Sequence, residues 1–340
     1  ASQMDFSQEI QKDAYLNYAR LSYEIGNAYE PVPKVILDYL EKYPNDAHTQ
    51  EMQGLLVDSY ITSKNFEGAM ELLEKNKNYA SKTTYQKVAF YRGVELFIDG
   101  DYAAAHENFS KSLSSAQDAL FKARANYWNA ESLYVMNRFD EALSNFKDFK
   151  ENSNASLTEE SKDVDYNLGY TYFKLKDYTN AITYFDAFSK SGVTDQDKLN
   201  DAYLRLGDSY FVTSKYWPAI ETYNKSLALT GPEKDYAAFQ KALSYGFVGK
   251  SESKIEELDK FVSKYPSSTL KDDALFELGN SYISAGQENK GLVTYDRLIE
   301  GYKGSSLVPQ AIMRQGLVHY NANRNEKALE EFKQVVRDFP

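Results

Sequence analysis

Residues 201–228 read DAYLRLGDSYFVTSKYWPAIETYNKSLA. Two helix-length segments flank a short polar turn. The small residues Gly207 and Ala219 stand twelve apart, with Tyr210 three residues after the first and Tyr223 four after the second. Apolar and small residues at spacings of three and four place one face of a helix, not of a strand, against a neighbour. The stretch therefore predicts a helical hairpin. Two antiparallel helices approach closely only where one facing residue is small, and a large side chain further along the same face fills the remaining gap.

The same pattern recurs along nearly the whole chain. Aligned on the small residue of the first helix, with Val57 allowed once, the series is Ala19, Val57, Gly93, Ala130, Gly169, Gly207, Ala242, Gly279 and Gly316. Successive spacings are 38, 36, 37, 39, 38, 35, 37 and 37 residues. A period this regular is the mark of a repeat architecture, in which each unit buries its apolar face on its neighbours. Twelve residues on lies a second small residue: Ala69, Ala105, Ala142, Ala181, Ala219, Gly291 and Ala328. Lys254 breaks this rule, and the first unit departs from it around Pro31 and Pro33. Four residues further stands a large side chain: Leu73, Phe109, Phe146, Phe185, Tyr223, Leu258, Tyr295 or Phe332. Tyr43-Pro44-Asn45, Gly231-Pro232 and Tyr265-Pro266-Ser267 end units, because proline cannot continue a helix.

Small–x2–Tyr, then Ala–x3–Phe, then Pro resembles the tetratricopeptide repeat over residues 12–340. The resemblance implies an all-α fold: a right-handed α-α superhelical solenoid of about nine hairpins. The units fall near 12–46, 50–80, 86–119, 123–157, 162–196, 200–232, 235–269, 272–306 and 309–340. No linker or low-complexity run interrupts them, which predicts a single continuous solenoid over 1–340. FVSKYPSSTLKDDALFELGNSY and FKQVVRDFP resemble, more narrowly, repeat proteins of the Gram-negative cell envelope: the Tol–Pal-associated coordinator and the outer-membrane assembly lipoprotein. That likeness implies a periplasmic or envelope location. Pro340 fills the inter-repeat slot of Pro44 and Pro266, and the last helix, with Leu329, Phe332, Val335 and Val336, has no following unit to cover it. The expectation is a piece of a longer repeat protein that self-associates through uncapped terminal repeats.

Composition narrows the function. The net charge is −11, and no basic cluster longer than a helix turn occurs, which argues against nucleic acid and anionic membranes as partners. The chain has no cysteine, so disulfides and thiolate metal sites are excluded. No run of about 18 apolar residues predicts a transmembrane segment. The 29 tyrosines and 19 phenylalanines fall mainly on packing positions. His48, His106 and His319 lie in different units and do not converge on a metal or a nucleophile. Paired carboxylates such as Asp272-Asp273 are adjacent on a helix and point about 100° apart. No catalytic group, metal or cofactor is predicted.

The resemblance implies that the first helix of each pair lines a concave groove. Carried over position by position, the groove residues are Tyr91 in unit three; Tyr127, Trp128, Glu131 and Tyr134 in unit four; Tyr166, Asn167, Tyr170 and Phe173 in unit five; and Arg205, Asp208 and Phe211 in unit six. The groove is aromatic, and aromatic residues dominate interface energies. The family's carboxylate clamp does not fit: Asn167 and Arg205 match it, but Tyr127, Glu131 and Asp201 do not. The reading is a non-catalytic scaffold holding a peptide or protein in the groove. The alternative is a structural spacer or self-assembling array, in which the protein's own side chains fill the groove.

Overall fold

The computed structural model describes residues 7–339, in two compact units, Ala1–Asn167 and Leu168–Pro340. Among the described residues there are eighteen α-helices and no strand. In the first unit the helices are α1 (Gln8–Ile25), α2 (Val32–Lys42), α3 (Thr49–Thr62), α4 (Phe66–Lys75), α5 (Lys82–Ile98), α6 (Tyr102–Ser114), α7 (Ala119–Val135) and α8 (Phe139–Glu151). The division falls within α9 (Val164–Lys174). The second unit continues with α10 (Tyr178–Ser189), α11 (Gln196–Val212), α12 (Tyr216–Ala228), α13 (Lys234–Phe247), α14 (Ser251–Lys264), α15 (Lys271–Ser284), α16 (Glu288–Gly301), α17 (Val308–Asn321) and α18 (Asn325–Asp338). From α1 to α8, and again from α10 to α18, every helix packs on the next in sequence. Each unit is thus an all-α solenoid, and the helices pair into nine hairpins.

The repeat frame has a direct packing meaning. A Cβ added at Gly207 would stand 2.6 Å from the Tyr223 ring; at Gly93, 2.7 Å from Phe109; at Gly169, 2.7 Å from Phe185; at Gly279, 2.5 Å from Tyr295. The large residue sixteen positions on is therefore packed directly against the small one. Phe109, Phe146, Phe185 and Tyr223 are fully buried. Each such ring removes enough apolar surface from water to contribute about 2–3 kcal/mol. Where the ring is tyrosine, its hydroxyl needs an acceptor, and the residue after the small one supplies it. Tyr223 donates to Asp208 at 2.9 Å and Tyr295 to Asn280 at 2.7 Å.

Both connections are built by rule. In all nine hairpins the residue seven after the small one is left-handed, with φ between 57° at Lys64 and 84° at Gly100. In the hairpins after the first, the next N–H then closes back on the helix: Lys215 N–H donates to the Tyr210 carbonyl at 2.8 Å and Asp177 N–H to Tyr172 at 2.9 Å. This satisfies carbonyls that the helix end would leave unpaired. Gly249 adopts the conformation at no steric cost, whereas Lys64, Lys176 and Ser214 adopt it against their side chains.

Between hairpins, the residue seven before the small one ties down the next loop in five units, at Lys12, Gln86, Asn200, Asp235 and Asp272. Gln86, fully buried, donates to the Asp118 carbonyl at 2.9 Å and accepts from the Gln117 and Asp118 N–H groups. Asn200 donates to the Pro232 carbonyl at 3.1 Å, while Ser268 and Ser305 donate to Asp235 and Asp272 at 2.5 and 2.6 Å. Lys12 does the same to Asp46 at 2.8 Å. Proline ends the helices, but these polar clasps hold the loops.

Two departures from the even spacing have local causes. Before α9 the chain makes short 3-10 turns at 155–157 and 159–162, so this first helix starts at Val164 and is brief. Arg124 and Trp128 of α7 hold that segment through Glu160, at 2.9 and 3.0 Å. In the first hairpin, α2 begins directly after Pro31, with Pro33 in its opening turn where a missing N–H costs nothing.

Candidate functional site

In the first unit, the predicted groove residues contact one another as well as solvent. Tyr91 is 38% exposed and stacks on Phe66, ring centroids 5.1 Å apart. Tyr127 is only 7% exposed, edge-on to Phe146 and Phe149. Its oxygen accepts from the Asn167 amide at 3.0 Å, and the same amide donates to Glu131. Burial, with the nearby Glu131 carboxylate, pushes the Tyr127 phenol well above its ordinary value. Trp128 packs edge-on to Phe97 at 5.1 Å and spends its ring N–H on Glu160. Burial opposes ionisation of Glu160, but the bonds from Arg124, the backbone and Trp128 prevail and hold its carboxyl below the usual range. Tyr134 packs on Phe139 at 5.3 Å, and Tyr166 is half-buried.

In the second unit the polar groups form a linked set. Tyr170 packs edge-on to Phe185 and donates to Asp201. Arg205 lies 3.6 Å from Asp201, 2.7 Å from Asp208 and 3.2 Å from Glu233. Asp208, 7% exposed, also accepts from Tyr223 and Tyr236 at 2.9 Å each. Burial pushes the Asp208 carboxyl up, and Arg205 opposes it. Phe173 packs on Tyr178, and Phe211 meets the edges of Tyr216 and Phe247. These side chains serve largely as one another's partners, so the residues singled out from the sequence make a braced wall. Tyr127 and Asp208 in particular offer little surface.

A departure from the regular wall lies one hairpin further on. A depression of about 500 Å³ is lined by Phe211, Leu243, Gly246, Phe247, Ser251, Lys254, Glu277, Asn280, Ser281 and Ser284. Its origin is the small position broken by Lys254. In the neighbouring hairpin, Gly291 of the second helix lies against Ile283 of the first. In α13–α14 the sizes are exchanged: Lys254 stands in the second helix, and Gly246 lies opposite, 3.0 Å from Lys254 Cδ to a built Cβ. Lys254 then reaches Glu277 of α15 at 2.6 Å. The other hairpins carry Tyr23, Ile61, Phe97, Tyr134, Phe173, Phe211, Ile283 or Tyr320 where Gly246 stands. The side chain missing there is the notch. The sequence did signal it, because the Lys254 exception falls in the same hairpin as the lone glycine at that place.

Two sequence profiles described as tetratricopeptide repeat match this chain, one at residues 129–193 and the other at 273–305 and 310–340. The chain carries tetratricopeptide repeats. A Drosophila melanogaster protein described as a BBSome complex member BBS4 homolog is 24% identical over 240 residues, 65% of this chain. That match spans 44% of the relative's own length. Among solved structures, the C-terminal part of a tetratricopeptide repeat-containing protein from Cytophaga hutchinsonii is 16% identical, with a TM-score of 0.54, covering 75% of this chain and 97% of that one. YrrB, described as a tetratricopeptide protein with an unusual peptide-binding site, is 20% identical with a TM-score of 0.48, covering 62% of this chain and 96% of its own. At 16% identity the likeness to the Cytophaga structure speaks to the fold alone. Tetratricopeptide proteins are in general protein-interaction scaffolds. Among the described residues, no helix is long and apolar enough to cross a membrane.

Proposed function

We propose that this chain is a non-catalytic scaffold that holds a peptide segment of a protein partner along the first helices of its hairpins, with the Gly246 notch as an anchor point. The observation that carries the reading is the notch itself: a depression of about 500 Å³ flanked by Phe247, which is 61% exposed. An exposed ring beside a cavity offers what interface anchors use, a large apolar contact made at small entropic cost. The braced wall of Tyr170, Asp201, Arg205 and Asp208 then serves as a rigid flank beside it. An envelope setting, periplasmic in a Gram-negative cell, rests on the loop phrases alone, and cell fractionation followed by immunoblotting checks it.

The test is site-specific photo-cross-linking in cells producing the full gene product. A photoreactive phenylalanine replaces Phe247 and, as a control, Lys225 on the exposed face of α12. A defined protein partner cross-linked from Phe247 and not from Lys225 supports the groove reading. Equal yields from both positions, or none from either, remove it.

A further inference from the structure

We propose that the notch over Gly246 receives a tyrosine side chain of the partner and rejects charged side chains at that place. The inference rests on the groove reading above and names the chemistry the notch selects.

The walls are aromatic. Phe247 stacks one face on Tyr216, centroids 4.7 Å apart, and meets Phe211 edge-on at 5.4 Å. Its remaining surface, with Phe211 and Leu243, borders the cavity. A planar ring is the natural filling for such a slot, since rings pair edge-to-face with a gain beyond their buried area.

The floor decides which ring. Lys254 and Glu277 meet at 2.6 Å with side chains 18% and 32% exposed, so both charges are largely withdrawn from water. The contact uses one ammonium hydrogen and Glu277 Oε2; both residues line the cavity, and the ammonium keeps further hydrogens to donate and the carboxylate a second oxygen to accept. An incoming carboxylate would pair with Lys254 but stand against Glu277. A guanidinium would pair with Glu277 but stand against Lys254. A bare phenyl ring would strip water from both and return nothing. Of the carboxylate, guanidinium, phenyl and phenol groups, only the phenol carries an aromatic ring for the walls and a hydroxyl that both accepts from the ammonium and donates to the carboxylate. Two neighbouring polar groups are already engaged: Asn280 Oδ1 accepts from Tyr295 at 2.7 Å, and Ser281 Oγ donates to the Glu277 carbonyl at 2.6 Å.

The exchange of sizes in this hairpin supplies a variant that fills the notch without inventing a new packing. Gly246→Phe with Lys254→Ala restores the pairing found at Phe211 and Ala219. The experiment titrates the protein, followed by amide NMR, with side-chain analogues: p-cresol for tyrosine, toluene for phenylalanine, methylguanidinium for arginine and acetate for a carboxylate. The expected result is saturable shifts at Gly246 and Ser284 with p-cresol, about tenfold weaker binding of toluene, and no saturable shift with either ion. The double variant should melt like the parent and lose the p-cresol shift. Lys254→Met with Glu277→Gln, which keeps the shape and removes the ion pair, should bring p-cresol and toluene level and provides the second test where the filled variant unfolds. Equal binding of toluene and p-cresol by the parent protein overturns the inference. So does tighter binding of methylguanidinium, or a p-cresol shift that survives the filled notch. Any of these leaves the cross-link from Phe247 standing, whereas loss of that cross-link would remove the groove reading itself.

Discussion

Hairpins α11–α12 and α13–α14 are neighbours built on one frame, yet they solve the same contact in opposite ways. In the first, Gly207 lies under the fully buried Tyr223 ring, and Phe211 stands in the place opposite Ala219. Every gap between the two helices is filled. In the second, Ala242 and Leu258 are both fully buried, but Lys254 and Gly246 have exchanged sizes one turn away. The seam still closes, because the flexible lysine stem lies over the glycine. Its head, however, leaves for Glu277, and a cavity opens where other hairpins place a large side chain. A repeat thus accommodates an exchange of sizes across its seam and gains a cavity by it.

The largest effect should come from adding a side chain on each side of this comparison. Gly207→Val drives two methyl groups into a ring that has no room to move, and should cost about 3 kcal/mol in urea denaturation. Gly246→Val meets only the lysine stem, and should cost under about 1 kcal/mol. Similar costs at the two glycines would dissolve the contrast.

The hydroxyl over the Gly207 seam comes next. Tyr223→Phe keeps the ring and removes one donor from Asp208, which retains Arg205 and Tyr236. A loss of about 1–2 kcal/mol is expected, as for a buried bond to a charged group. No loss would mean that Asp208 is served well enough by its other partners.

A buried acid elsewhere sharpens the point. Asp208 has three donors, but Glu331 in α18 has a buried Oε2 with no hydrogen-bond partner. Its Oε1 lies 3.4 Å from His319 Nε2, and Arg324 donates to the other ring nitrogen at 2.7 Å. Burial, reinforced by Asp296 and opposed by Lys327 and Arg324, pushes the Glu331 carboxyl up to about 7. A carboxyl raised in the folded state stabilises fully below its ordinary value near 4.5, and that stability is lost as pH rises through 7. Hydrogen exchange in α17–α18 should show this hairpin weaker at pH 8 than at pH 5.5. Because the group is partly solvated, the expected difference is about 1 kcal/mol. Burial lowers the His319 value, which acts in the opposite sense, so Glu331→Gln serves to isolate the carboxyl. A variant with an unchanged pH slope would clear Glu331 of the effect.

The smallest effect is in the turns. Ser214 holds φ 59° where Gly249, in the next hairpin, holds 72°. Ser214→Gly should stabilise by about 0.5 kcal/mol, the left-handed strain removed less the entropy that glycine loses. Gly249→Ser should destabilise by about 1 kcal/mol. Thermal melts of the pair would expose any asymmetry between the hairpins.

The repeat was legible because packing of neighbouring helices demands the same sizes at the same spacing in each unit. The small series from Ala19 to Gly316, and the rings sixteen residues on, state that demand without any coordinates. The left-handed turn was harder to see. Gly100, Gly249, Gly286 and Asn137 advertise it, but Lys64, Lys176 and Ser214 do not, since closing carbonyls at the helix end outweighs their strain. The clasps between hairpins were hidden for another reason. Lys12, Gln86, Asn200 and Asp272 share a position and a task but no chemistry, because a loop carbonyl, a loop N–H and a serine hydroxyl each ask for a different partner.

By itself the chain of residues determined the helices, their pairing and the period, since these follow from side-chain size and local backbone preference. Only the tertiary structure decided which aromatic positions face a cavity and which are consumed in bracing. Tyr127 and Tyr170 occupy groove places in the repeat, but Asn167, Phe146, Asp201 and Phe185 engage them. The notch at Gly246 arises because a lysine in one helix leaves a glycine in its partner and crosses to a glutamate in the next hairpin. Such a relation joins residues eight and twenty-three positions apart across three helices; the repeat frame shows the exchange of sizes at Gly246 and Lys254, but not the glutamate that draws the lysine head away.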